Sequence, residues 1–362
     1  MDKKTYDYWL YGIDYIGRKT FSLLREHGYD GENLFLCNEN ELPSFLNQKQ
    51  RDSLLKAKRK NFEQIKEEYE KVKKGGIFMT VFGDDDYPKK LYEIPDAPAV
   101  LFYKGKLPGE KQPLVAIIGA RNCSGYGRLV AEKFAAFFAK NKVGVISGMA
   151  AGIDGYAQRE ALNNGGYSVG VLGSGVQVCY PKEHRALYDD LVQKGCVLSE
   201  YLPYINASPN LFPPRNRIIS GLADALIVVE AKEKSGTLIT VEMALEQGKE
   251  VFVVPGRITD GLSQGCNRLL WEGATPAIHP QKIMESLYQK SGVTEEEKEE
   301  NLSFLQKNIL SFLDVTPVHI NVLQERTGLS MEVLSKELLY LTLEDQVVLE
   351  GSNWYRKQLK QL

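Results

Sequence analysis

Apolar positions along the chain fall into three regimes. Over 1–75 they recur at helical spacing. Leu55, Phe62, Ile65, Tyr69 and Val72 share one face, which predicts an amphipathic helix across 48–74 that Gly75-Gly76 ends. Its lysines alternate with glutamates, the mark of a solvated outer face. Upstream, Ile13-Asp14-Tyr15-Ile16-Gly17-Arg18-Lys19-Thr20 predicts a tight turn between two helices. It is similar to a helix–hairpin–helix turn, in which glycines let backbone approach a phosphate. Asp14 replaces one of the usual two glycines and opposes phosphate, so a packing hairpin is the expectation.

From 77 to 287 the period shortens. β-branched runs at 115–118, 143–146, 168–172, 225–229 and 250–254 alternate with helical stretches. Each run is apolar on both faces, which suits strands buried between two helix layers in a parallel α/β sheet. Segments 82–88 and 94–98, rich in Asp and Pro, read as an extended lead-in. The charged run at 295–300 reads as a linker. Beyond it, helices at 301–313, 318–327 and 331–343 and strands at 347–349 and 354–355 predict a winged helix over 300–362. Its third helix carries Glu332, Lys336, Glu337 and Glu344. That charge is wrong for entering a phosphate-walled groove, so a protein-contact or structural module is expected.

Composition narrows the picture in two ways. A net charge of -2 gives no global attraction to a polyanion, so any such site must be a local cluster. Five scattered cysteines without a CxxC pair, and four dispersed histidines, argue against a disulfide framework or zinc site and for a reducing compartment. The first residues lack the apolar core of a signal peptide, and no apolar run reaches the roughly 18 residues a membrane span needs. A cytoplasmic protein without membrane attachment or metal is expected.

The chemistry gathers at strand ends. In an open parallel sheet, ligands bind beyond the carboxyl ends of the strands, where helix N-termini also point. Gly119-Ala120-Arg121 follows the first run, Ser147-Gly148-Met149-Ala150-Ala151-Gly152 the second, and Gly173-Ser174-Gly175 the third. Lys234-Ser235-Gly236-Thr237 and Pro255-Gly256-Arg257 follow the last two. Such loops aim backbone N–H groups at an anion, and five on one edge with three cations predict phosphate binding. The cofactor patterns fail: Val178 stands where a dinucleotide fingerprint needs its third glycine, and Leu262-Ser263 where a P-loop needs Lys-Ser/Thr. No cofactor is expected. A row of separate cradles suits a polymer of phosphates.

Asn210-Leu211-Phe212-Pro213-Pro214-Arg215-Asn216-Arg217 adds an aromatic beside paired arginines. Single-strand binders use this combination, with a ring on a base face and guanidiniums on phosphates. A core phenylalanine with ion-paired arginines accounts for the same residues, and the residues alone leave both readings open.

Phe-Pro-Pro-Arg-Asn-Arg-Ile-Ile-Ser-Gly-Leu (212–222) closely resembles the signature of the DNA-processing protein A (DprA/Smf) family. So do Val-Ala-Ile-Ile-Gly-Ala-Arg (115–121), Ile-Ser-Gly-Met-Ala-Ala-Gly-Ile-Asp (146–154), Glu-Ala-Lys-Glu-Lys-Ser-Gly-Thr-Leu-Ile-Thr (230–240) and Val-Val-Pro-Gly (253–256). The resemblance runs in order from about Gly83 to Glu272. It implies an extended Rossmann-like domain over 77–287, between an N-terminal helical (SAM/helix-hairpin-helix-like) domain over 1–75 and the winged helix. It further implies single-stranded DNA binding, dimerisation through the Rossmann-like domain, and loading of RecA recombinase during natural transformation.

By motif, Arg121 with Gly119 would meet phosphate and Phe212 a base, while Arg215, Asn216 and Arg217 would shape the pocket. Ser147, Gly148, Met149 and Gly152, with Lys234, Ser235, Gly236 and Thr237, would cradle further phosphates. Family members often carry a lysine just before the Phe-Pro element, whereas 201–211 here holds no Lys or Arg. A shallower salt dependence follows.

A binding protein rather than an enzyme is expected, because Asp154 and Glu242 near these loops have no His or Cys partner and no nucleophile elbow. The alternative is a nucleotide phosphoribohydrolase of the lysine-decarboxylase-like group. Similar glycine loops occur there, with an Arg and a Glu against a ribose phosphate.

Overall fold

The computed structural model describes residues 3–290, 303–314, 316–343 and 346–358. They form two compact units, Met1–Leu287 and Tyr288–Leu362.

Five helices open the first unit: α1 (Lys3–Tyr11), α2 (Arg18–Glu26), α3 (Gly31–Leu36), α4 (Gln48–Ala57) and α5 (Phe62–Lys74). The one helix expected over 48–74 is therefore two. Asn61 makes the break: its side chain accepts from Glu63 N at 2.9 Å, and its own N–H donates to Gln64 Oε1 at 3.3 Å. A cap of this kind restarts a helix while apolar positions on either side still face one core. Leu54, Ile65, Tyr69 and Val72 do so. α5 ends at Gly75, with Gly76 in the left-handed region at φ 70°. The α1–α2 turn buries Ile13 and Ile16 and leaves Asp14 and Tyr15 exposed, as a packing hairpin would.

Nine strands follow: β1 (Phe78–Val81), β2 (Val100–Gly105), β3 (Leu114–Ile118), β4 (Gly144–Ser147), β5 (Ser168–Val171), β6 (Cys196–Ser199), β7 (Ala225–Val228), β8 (Glu250–Val253) and β9 (Thr275–Pro276). Their order is β1-β2-β6-β5-β4-β3-β7-β8-β9. All pairs from β6 to β9 are parallel, while β1–β2 and β2–β6 are antiparallel. The five apolar runs became the middle of the sheet. β1 and β2 bracket the lead-in, and β6, Cys-Val-Leu-Ser, was not anticipated.

The crossovers are α6 (Gly125–Lys140), α7 (Ile153–Asn163), α8 (Arg185–Lys194), α9 (Phe212–Leu222), α10 (Gly236–Glu246) and α11 (Gln264–Trp271), with α12 (Pro280–Lys290) closing the unit. Successive residues of β3 point to opposite cores, as the period of two requires. Val115 and Ile117 meet Phe134 and Phe138 of α6 and Ala157 of α7, whereas Leu114, Ala116 and Ile118 share a core with Ile218 of α9 and Val241 of α10. The third core joins α1–α5 to the far side, through Phe102 of β2 and Val197 of β6. The helices of 1–75 thus share one compact unit with the sheet.

After β6 the chain crosses to the other side of β3, and α9 makes that crossing. The strand order therefore reverses between β3 and β7, the place where an open sheet leaves a crevice at its carboxyl edge.

A buried ion network ties the first helices to this frame. Arg217 Nη2 donates to Glu200 Oε1 at 2.6 Å, and its Nε donates to Asp96 O at 2.8 Å. Arg18, from the head of α2, lies 2.9 Å from Asp96 and 3.6 Å from the second Glu200 oxygen.

The second unit holds α13 (Phe304–Ser311), β10 (Val318–His319), α14 (Ile320–Thr327), α15 (Met331–Leu343), β11 (Val347–Leu349) and β12 (Trp354–Lys357). Its sheet runs β10-β12-β11, so a third strand joins the two expected. Val318 and His319, assigned above to the second helix, instead pair with Tyr355 and Trp354. His319 then caps α14, its Nδ1 accepting from Asn321 N at 3.3 Å. Three helices around Leu323, Leu334, Leu338 and Leu341 with this small sheet make a winged helix. The charged run at 295–300, residues 301–302 and Glu344 lie outside the described residues.

Removing one partner of a buried ion pair leaves the other charge uncompensated. Arg217→Met is therefore expected to cost about 3–5 kcal/mol of stability, measured by urea denaturation. A loss below about 1 kcal/mol would show that the network does not hold the helices to the sheet.

Candidate nucleic-acid interface

Phe212 opens α9 at the carboxyl edge of the sheet. Pro213 and Pro214 occupy the first helical turn, where missing N–H groups cost nothing. The Phe212 ring lies against Gly173 at the end of β5, where a Cβ would collide with it. The ring is half-buried, and two groups meet it. The Arg121 guanidinium stands 5.3 Å from its centroid, and the Tyr180 ring lies 5.6 Å away at 26°. Arg121 is exposed, and Tyr180 is 47% exposed. Tyr180 was missed from sequence. Only the fold of the 172–181 loop brings it to Phe212, and a lone Tyr-Pro is a weak signal.

The paired arginines of this element go inward. Arg215 Nη1 donates to Gly148 O at 2.9 Å and to Val171 O, and its Nε donates to Asn216 Oδ1 at 3.1 Å. Burial pushes its guanidinium down to about 10, partly offset by the charge of Asp154. Arg217 belongs to the network with Glu200 and Asp96. Both arginines are buried, so the parts open to them are to shape the pocket and to fix α9. Asn216 is half-buried between them.

The 147–152 loop is held from within as well. Ser147 Oγ donates to Ile117 O at 2.7 Å, Gly148 N to Asp154 Oδ2 at 3.0 Å, and Met149 N to Gln158 Oε1 at 3.1 Å. All three residues are buried. Met149 has φ 54°, a left-handed conformation costly for a non-glycine residue and sustained by these contacts. Asp154 is buried, and burial pushes its carboxyl above the usual range, against the pull of Arg215. Gly152 at φ 79° heads α7, and a Cβ there would strike the Ala120 and Arg121 carbonyls. That close approach sets the 147–152 loop against the loop bearing Arg121.

Gly119 and Ala120 reach the surface only in part. The head of α6 is closed by Glu230, which accepts from Ser124 N at 2.9 Å and from Ser124 Oγ at 2.5 Å. At the head of α10, Ser235 caps by accepting from Thr237 N at 3.2 Å. Gly236 and Lys234 are exposed there, and Thr237 is half-buried. Arg121, Lys234 and Arg257 are exposed and pair with no carboxylate among the described residues. The edge thus combines an aromatic pair with cations on an outer rim, above loops whose inner donors are already occupied.

Asp154 orders its own loop, and Glu242 is exposed on α10 without a cation partner among the described residues. Burial pushes the thiols of Cys123 and Cys179 up, away from a reactive thiolate. Among the described residues, no group of three His, Cys, Asp or Glu could hold a metal ion. No described helix is long and apolar enough to cross a membrane.

The inward and outward arginines separate in a stability measurement. Arg215→Ala leaves the buried Gly148 and Val171 carbonyls without this donor and removes the cation facing Asp154, and is expected to cost about 2–5 kcal/mol in urea denaturation. Arg121→Ala is expected to stay within about 0.5 kcal/mol of the parent. Equal effects would contradict the burial assigned to Arg215.

The sequence matches the family model described as DNA recombination-mediator protein A over residues 78–288, and the DprA winged helix domain over 293–351. It is 47% identical over 201 residues to DNA processing protein DprA of Streptococcus pneumoniae, covering 56% of this chain and 71% of that one. It is 35% identical over 268 residues to protein Smf of Escherichia coli, covering 71% of each. The X-ray structure of DNA processing protein A from Streptococcus pneumoniae aligns with TM-score 0.68 and 36% identity, over 78% of this chain and 97% of that one. A Helicobacter pylori DNA processing protein A, whose structure is described as showing its single-stranded DNA binding mode, aligns with TM-score 0.53 and 28% identity, over 59% of this chain and 96% of that one. With its core matched over 78–288 and its winged helix over 293–351, the chain belongs to the DNA recombination-mediator protein A family.

Proposed function

We propose that the chain binds single-stranded DNA along the carboxyl edge of its sheet and acts in DNA processing without catalysing a reaction. The observation that carries this reading is the partly open Phe212 ring, flanked by the exposed Tyr180 ring and the exposed Arg121 guanidinium. A base can stack on such a platform whatever its identity, and a neighbouring guanidinium takes the phosphate. Lys234 and the head of α10 extend the basic rim beyond Arg121. The single-strand binding named for the Helicobacter pylori relative supports the same ligand.

RecA recombinase is the proposed recipient of the strand, during natural transformation, and the family's description as a recombination mediator supports a partner of that kind. The winged helix is proposed as a protein-contact module. α15 exposes Val333, Leu339 and Tyr340 beside Glu332, a surface suited to protein more than to a phosphate-lined groove. A second copy of the chain is the proposed dimer partner. Trp271 at 90% exposure and Ile278 at 63% flank the edge strand β9, and apolar groups so placed favour a covered edge. Trp271→Glu is expected to convert dimer to monomer in sedimentation velocity; a variant that stays dimeric would move the contact elsewhere.

Fluorescence anisotropy with labelled single-stranded and duplex oligonucleotides at several salt concentrations tests the DNA reading. Arg121→Ala is expected to weaken all single-stranded sequences alike and to reduce the salt slope by about 0.7. Phe212→Ala is expected to lose about 1–3 kcal/mol with little change in slope. If both variants bind as the parent does, or the parent prefers duplex, the edge is not a single-strand site.

A further inference from the structure

Glu230 lies two residues beyond β7, at the reversal of strand order between β3 and β7. In sheets of this kind the crevice at that point, over the head of the first crossover helix, receives the phosphates of a bound nucleotide. Here the crevice is filled from within. Both carboxylate oxygens of Glu230 are held by Ser124, one by its N–H at 2.9 Å and the other by its hydroxyl at 2.5 Å. Ser124 is itself the cap of α6, accepting from Gly127 N at 3.0 Å. The Glu230 side chain is 1% exposed, and no lysine, arginine or histidine among the described residues forms an ion pair with it. A buried carboxylate without a cation, held by N–H and O–H donors at a helix head, takes the donors that a phosphate oxygen would take.

The glycines point the same way. Gly127 is buried, and a Cβ there would collide with the Glu230 carboxylate. In a dinucleotide site, glycine at a helix head lets a pyrophosphate approach the backbone. Gly127 instead admits the chain's own anion. Cys123, one residue before the cap, registers that charge: burial first, and then Glu230, push its thiol up.

We propose that Glu230 is a specificity-determining residue, a resident carboxylate that occupies the phosphate position at the head of α6 and shuts the crevice to nucleoside phosphates. By bridging the loop after β7 to the loop after Arg121, it also keeps the polyanion on the outer rim. This last consequence rests on the single-strand reading; the exclusion of nucleotides does not.

The test titrates inorganic pyrophosphate and ADP by calorimetry into the full-length parent and Glu230→Ala, with folding checked by circular dichroism. The parent is expected to bind neither, and Glu230→Ala to gain pyrophosphate affinity of about tenfold or more once charge and volume are removed. Should Glu230→Ala fail to fold, Glu230→Ser, which leaves Ser124 a hydroxyl partner, takes its place. A parent that binds ADP overturns the proposal, and so does a folded variant that gains no pyrophosphate affinity. Single-stranded DNA affinity measured on the same samples separates the two readings. A parent that binds no strand removes the single-strand site and leaves the pyrophosphate result to judge Glu230.

Discussion

The edge of the sheet depends on a guanidinium that solvent barely reaches. Arg215 joins the carbonyls of Gly148 and Val171, beyond and within two neighbouring strands, and faces the buried Asp154 charge. A charge taken so far out of water is tolerated only when hydrogen-bonded and paired. Three positions upstream on the same helix stands Phe212, so whatever fixes Arg215 fixes the ring. Arg217 adds a second anchor on that helix, to Glu200 and Asp96. The platform at the surface is thus rigid because its support is buried and charged, and substitutions below it would register as lost stability before lost affinity.

The glycine-rich loops acquire a different meaning once their partners are visible. Helix heads do attract anions here, but two of the attracted anions are the protein's own. Asp154 takes Gly148 N at the head of α7, and Glu230 takes Ser124 at the head of α6. At each occupied head a small phosphate ligand would have to displace a carboxylate that already holds some of the donors. What remains for an outside polyanion is the layer above, made of side chains and the head of α10. That division favours a long ligand lying across the edge over a small one sunk into it.

Much of the fold was legible in the sequence because it follows from periodicity. The five central strands are apolar on both faces, and the winged helix announces itself through Gly328, Ser330 and two short strands. Legibility failed where a local interaction overrode the period. Asn61 splits one apparent helix with a cap, and Val318-His319 joins a strand because Tyr355 and Trp354 offer ladder partners. In the site, residue type was legible and direction was not. Arg121, Arg215 and Arg217 are identical letters, and only the packing of α9 against β4 and β5 decides which of them faces water.

Net charge is the quantity that this layering reinterprets. A chain with 45 basic and 47 acidic residues has no overall pull on nucleic acid, which by itself argued for a local cluster. Burial sharpens the cluster. Glu230, Asp154 and Glu200 lie inside, where a carboxylate's field is taken up by the donors and guanidiniums around it. Arg121, Lys234 and Arg257 remain outside, each free of a carboxylate partner among the described residues. The approaching strand would meet the cations first, at distances a Debye length of about 8 Å still allows, with the carboxylates screened beneath them. A chain of near-zero charge can in this way present a positive rim, provided that its anions are folded in and its cations are not.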